Sequence, residues 1–86
     1  MAPSLHIASL LVHCQPEQLA AVRANLARLP DLELHQSSAA GKQVVVLEAR
    51  DEAAILERLQ AIQQLPGVLN AALIYHELLD TEGEAR

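Results

Sequence analysis

Apolar and polar positions along the chain change period several times, and each change marks an element. Leu5 to Val12 is a short apolar run with β-branched members, followed by Gln15-Pro16. Proline is tolerated at a first helical position, so the pattern predicts a strand and then a helix. Leu19, Val22, Leu26 and Leu29 recur at spacings of three and four, giving one apolar stripe on that helix opposite Glu17, Arg23, Asn25 and Arg28. Pro30 stops it. Leu32 and Leu34 then alternate with Glu33 and His35, as in a half-buried strand, and Ser37 to Gly41 has the composition of a turn or short loop.

The second half repeats this order. Val44 to Leu47 is a strand, Asp51 can cap a helix whose stripe is Ile55, Leu59, Ile62 and Leu65, and Pro66-Gly67 ends it. Val68 to His76 makes the last strand, and the end of the chain, residues 79–86, is expected to be an acidic, frayed tail after a single domain over residues 1–78. An offset of 36 residues superposes Gln15 on Asp51, Leu19 on Ile55, Leu26 on Ile62, and Leu29-Pro30 on Leu65-Pro66. Two tandem βαβ units result, β-α-β-β-α-β. The expected class is α+β: a ferredoxin-like, four-stranded antiparallel sheet with both helices on one face.

With both helices on one side, the other sheet face has no cover from this chain, and strand alternation assigns its side chains. In the first strand Ile7, Ser9, Leu11 and His13 share a face, and Ser9 and His13 point it outward. Glu48 avoids the core, so Val44 and Val46 go outward with it. In the last strand, placing His76 outward brings Ala72 and Ile74 with it and leaves Ala71, Leu73 and Tyr75 beneath the helices. Ile7, Leu11, Val44, Val46 and Ile74 would then form an exposed apolar patch beside Glu33 and Glu48. Monomers seldom leave such a patch uncovered. Either a second copy packs against it, giving a homodimer through the sheet, or another partner does.

Composition narrows the partner. The 86 residues carry a net charge of −5, and the six Lys and Arg are scattered, which argues against nucleic acid and for a basic segment. Aromatic residues make up 1%, so Leu, Val, Ile and Ala must pack the core around the single Tyr75. One cysteine, Cys14, precludes an internal disulfide and fits a reducing compartment. No run approaches the roughly 20 apolar residues of a membrane span, and MAPSLHIASLLVH lacks the basic flank of a signal peptide, so the expected location is the cytoplasm, without membrane insertion.

Candidate chemistry is sparse. Glu17, Asp31, Asp51, Glu52 and Glu57 fall at caps or on helix surfaces, and Gly41, Gly67 and Gly83 are isolated rather than gathered in a phosphate loop. His13 and Cys14 are adjacent, so their side chains diverge on a strand, and His6 has the opposite parity to His13; no metal site is expected. His76 is read as a strand end without an acid–base role. An enzyme is therefore not expected, nor a cofactor.

HIASLLVHC (6–14), GKQVVVLEA (41–49) and above all LPGVLNAALIYHE (65–77) resemble the NapD family, small cytoplasmic chaperones for assembly of the periplasmic nitrate reductase. The resemblance covers nearly the whole chain in length and element order. It implies a ferredoxin-like protein that binds the twin-arginine signal peptide of the reductase's catalytic-subunit precursor and prevents its export before the molybdenum cofactor is inserted. It also implies binding through the sheet surface, which here means Ile7, Ser9, Leu11, Val44, Val46, Glu48, Ala72, Ile74 and His76. A twin-arginine peptide presents two guanidinium groups followed by an apolar stretch, and Glu48, or another acidic residue at the rim, is expected to meet an arginine. A ferredoxin-like regulatory domain that senses a small molecule and dimerises through its sheet would share the same element order. An acylphosphatase-like enzyme would need an anion-cradling loop with arginine where this chain has His13-Cys14-Gln15-Pro16.

Overall fold

The computed structural model describes residues 4–80. Strands β1 (Ser4–Cys14), β2 (Leu32–Ser38), β3 (Lys42–Ala49) and β4 (Val68–Asp80) alternate with helices α1 (Leu19–Leu26) and α2 (Glu52–Gln63), and a 3-10 turn at Pro16–Gln18 leads into α1. The order is the expected β-α-β-β-α-β. All strand pairs are antiparallel, and the sheet runs β2-β3-β1-β4. β4 continues to Asp80, paired with Ser4, so pairing with the long β1 holds Leu79 and Asp80 in a strand rather than a tail. Residues 81–86 of the expected tail lie outside the described residues.

One face of the sheet is closed by the helices. Ala8, Leu10, Val12 and Cys14 of β1, Val45 and Leu47 of β3, and Ala71 of β4 pack with Val22 and Leu26 of α1 and Ile55 and Ile62 of α2. This core is wholly aliphatic apart from the Cys14 thiol, whose pKa burial raises. The helix stripes follow the sequence periodicity, with Leu19, Leu29, Leu59 and Leu65 half-buried at the rim. Asp51 caps α2 by accepting a hydrogen bond from the Ala54 amide at 2.8 Å.

The repeat is visible where each helix turns into a strand. Leu29-Pro30-Asp31 and Leu65-Pro66-Gly67 are equivalent, and both third residues lie in the left-handed region, Asp31 at φ 58° and Gly67 at φ 88°. In each, the leucine amide closes the helix by donating to the carbonyl three residues back, Leu29 to Leu26 at 3.0 Å and Leu65 to Ile62 at 3.1 Å. Proline then prevents another helical turn, and the left-handed residue redirects the chain into the sheet. The Arg58 guanidinium on α2 donates to the Pro30 carbonyl, tying the two halves together.

Three irregularities interrupt the ladders. In β2, one extra residue separates Leu34 (opposite Val45) from Ser37 (opposite Gln43). The buried Gln43 amide nitrogen donates to the His35 and Gln36 carbonyls at 3.2 and 3.3 Å, compensating for the ladder bonds that the bulge removes. In β4, Leu69 and Ile74 are the extra residues against β1, and both are exposed.

Candidate functional site on the open sheet face

The face away from the helices is built row by row from the strand pairing, because directly opposed residues of antiparallel strands share a face. Ile7 lies between Glu48 of β3 and Glu77 of β4. Next come Ser9 between Val46 and Tyr75, then Leu11 between Val44 and Ala72, and finally His13 between Lys42 and Asn70. Glu33 of β2 extends the second row beyond Val46. The result is an aliphatic centre with carboxylates at one end and Lys42 and His13 at the other.

Two hollows adjoin the β2–β3 side. One, of about 190 Å³, is lined by three acidic residues, Asp31, Glu33 and Glu48, together with Leu32 and Val46. The Glu48 amide donates to the Asp31 carbonyl at 3.0 Å, holding the start of β2 against the end of β3. His35 Nε2 lies 3.3 Å from Glu33 Oε1 at the exposed edge. The second hollow, about 230 Å³, is lined by Leu11, Gln36, Ser37, Ser38, Lys42 and Val44 at the opposite end.

The expected residues divide in β4. Ile7, Ser9, Leu11, Val44, Val46, Glu48 and Ala72 share the open face. Ile74 is the bulged residue, 57% exposed, and pairs with nothing on β1. Because that bulge reverses the alternation after it, His76 falls opposite Ala8 on the helix side, contrary to the outward placement read from the sequence. There it stacks on His6, with ring centroids 5.1 Å apart and His6 Nδ1 at 2.8 Å from His76 Nε2, one ring donating and the other accepting. The same reversal moves Tyr75 out of the core, where it was expected, onto the open face at 55% exposure.

Tyr75 and Glu77 are therefore the face residues that sequence alternation missed. A signal for them was present. The argument that turns Glu48 outward applies equally to Glu77, and Tyr75 shares its parity. The Tyr75 hydroxyl donates to Glu77 Oε1 at 3.2 Å, and that hydrogen bond, followed by the carboxylate's charge, raises the phenol pKa. The stability carried by this pair is complete below the ordinary tyrosine pKa and is lost as pH climbs through the raised value. Since Tyr75 is the chain's one tyrosine and there is no tryptophan, ultraviolet titration should give a single phenolate transition above the usual midpoint. In Glu77→Gln it should fall back toward the ordinary value.

Among the described residues no three His, Cys, Asp or Glu side chains gather as metal ligands, and no helix is long and apolar enough to cross a membrane. Fold and face together define a small ferredoxin-like domain with one face of its sheet left uncovered by the helices. The profile of the family described as NapD protein matches residues 5–80. Chaperone NapD of Haemophilus influenzae is 32% identical over 73 residues, covering 84% of this chain and 78% of the relative. Chaperone NapD of Escherichia coli is 28% identical, covering 90% of each chain, and that of Paracoccus pantotrophus is 33% identical, covering 91% of this chain and 69% of the relative. The solution structure of the E. coli Tat proofreading chaperone protein NapD superposes with a TM-score of 0.81 at 28% identity, covering 90% of this chain and 82% of that one. The chain belongs to the NapD family, whose named relatives are chaperones, a role that is not enzymatic.

Proposed function

We propose that this protein is a cytoplasmic assembly chaperone that binds the twin-arginine signal peptide on the precursor of the periplasmic nitrate reductase's catalytic subunit, and so delays export until the molybdenum cofactor is inserted. The observation that carries this reading is the uncovered sheet face, aliphatic through Ile7, Leu11, Val44 and Val46 and bounded by Glu33, Glu48 and Glu77. A twin-arginine peptide has the complementary chemistry. Its apolar stretch gains by leaving water on the aliphatic centre, and its guanidinium groups can pair bidentately with carboxylates.

Burying about 400 Å² of apolar surface at roughly 25 cal/mol per Å² would give a gross gain of about 10 kcal/mol, less the cost of ordering a flexible peptide. The contact set is Ile7, Ser9, Leu11, Val44, Val46, Glu48 and Ala72, with the exposed Ile74 beside it, joined by Tyr75 and Glu77. His76 drops out of it.

Titration calorimetry of Glu48→Gln with the signal peptide tests the ionic part. The affinity should fall about tenfold, a typical cost for losing one charge-assisted pair, and the salt dependence should shrink with it. Unchanged affinity and salt dependence would remove Glu48 from the site. A stable dimer in light scattering, with no affinity for the peptide, would favour instead a regulatory domain that pairs through this face.

A further inference from the structure

We infer that the open face accepts its peptide in one direction only, with the arginines over the Glu48–Ile7–Glu77 row and the apolar stretch running toward the Lys42–His13–Asn70 row. This direction rests on the peptide-binding reading above. It makes the peptide parallel to β1 and antiparallel to β3 and β4.

The polarity of the face supplies the argument. Ile7 has a carboxylate on each side, Glu48 on β3 and Glu77 on β4, both exposed. These strands flank β1, so the two carboxylate-bearing backbones are about 9.5 Å apart, twice the interstrand spacing. Two neighbouring arginines can splay over Ile7, one to each carboxylate. From Ile7 to His13 the face extends about 20 Å at roughly 3.3 Å per residue, and a helical segment of about 13 residues covers that length. Along it Val46, Val44, Leu11 and Ala72 offer aliphatic contact around the uncharged hydroxyls of Ser9 and Tyr75, with the Glu33 carboxylate at the β2 edge beyond Val46.

The reversed orientation is penalised twice. Guanidinium groups would meet Lys42, a like charge, while apolar side chains would cover Glu48 and Glu77 and strip water from carboxylates left without a cation. Screening does not blur the two ends into one field, because about 20 Å is twice the Debye length of roughly 10 Å at 0.1 M salt.

Paramagnetic broadening tests the direction. A peptide carrying two consecutive arginines before its apolar stretch, taken from the reductase precursor of the same source, is labelled with a nitroxide ahead of the arginines or at the end of the apolar stretch. The first label should broaden the amides of Ile7, Glu48 and Glu77, and the second those of His13, Lys42 and Asn70. The opposite assignment, or equal broadening of both rows by each label, overturns the direction while leaving peptide binding intact. Absence of binding, or broadening confined to the helices, overturns the binding reading and the direction with it.

Discussion

Val46→Asp is expected to lose at least about two orders of magnitude in peptide affinity while the protein remains folded. Val46 sits in the middle of the open face, opposite Ser9 on one side and Glu33 on the other. An aspartate there would place a charge where the apolar stretch must dock, and covering an unpaired carboxylate costs about 3 kcal/mol or more. The helices do not touch that face, so the expected loss of stability is small, about 1 kcal/mol of strand propensity. The neighbouring position makes the control. Val45 is fully buried under the helices, and Val45→Asp should prevent folding. Calorimetry for binding and far-ultraviolet circular dichroism for folding separate the two outcomes. Retained binding in Val46→Asp would exclude this face.

Gly41→Ala should be the most destabilising of the conservative changes. Gly41 has φ 93°, and a Cβ built on it would lie 1.9 Å from the Cys14 carbonyl oxygen. Its carbonyl accepts from the Cys14 amide at 2.7 Å and its own amide donates to Ser38 at 3.0 Å, so the β2–β3 turn is held against the end of β1. Neither contact can relax without loosening the other. Left-handed strain of about 1–3 kcal/mol and the displacement of β1 act together, for an expected total of about 3 kcal/mol. At roughly 4–8 °C per kcal/mol for a domain of this size, the melting temperature should drop by about 12–24 °C. A change of only a few degrees in a calorimetric scan would show that the turn can move away from Cys14 at little cost.

Both substitutions depend on how strands meet, whereas much of the fold depends on what single segments contain. The spacing of Val22, Leu26, Ile55 and Ile62 identifies the buried side of each helix, and Asp51 announces the cap it forms. The repeated Leu-Pro pairs mark both helix-to-strand turns, and alternation in β1 and β3 assigns Ile7, Ser9, Leu11, Val44, Val46 and Glu48 to the open face. These features are local: a period or a cap is complete within one stretch of chain.

In β4 the local pattern fails. VLNAALIYHE is apolar almost throughout and carries no mark of a bulge, since an extra residue exists only relative to the partner strand that leaves it unpaired. Pairing with β1 leaves Ile74 unmatched, and every side chain beyond it changes face. Tyr75 and Glu77 thereby reach the open surface, and His76 turns back to His6. The sequence by itself determined the element order, the helical core and most of the aliphatic centre, because periodicity and capping are properties of a single segment. Only the tertiary structure decided that Glu77 stands across Ile7 from Glu48, because a strand's register is settled by its neighbour.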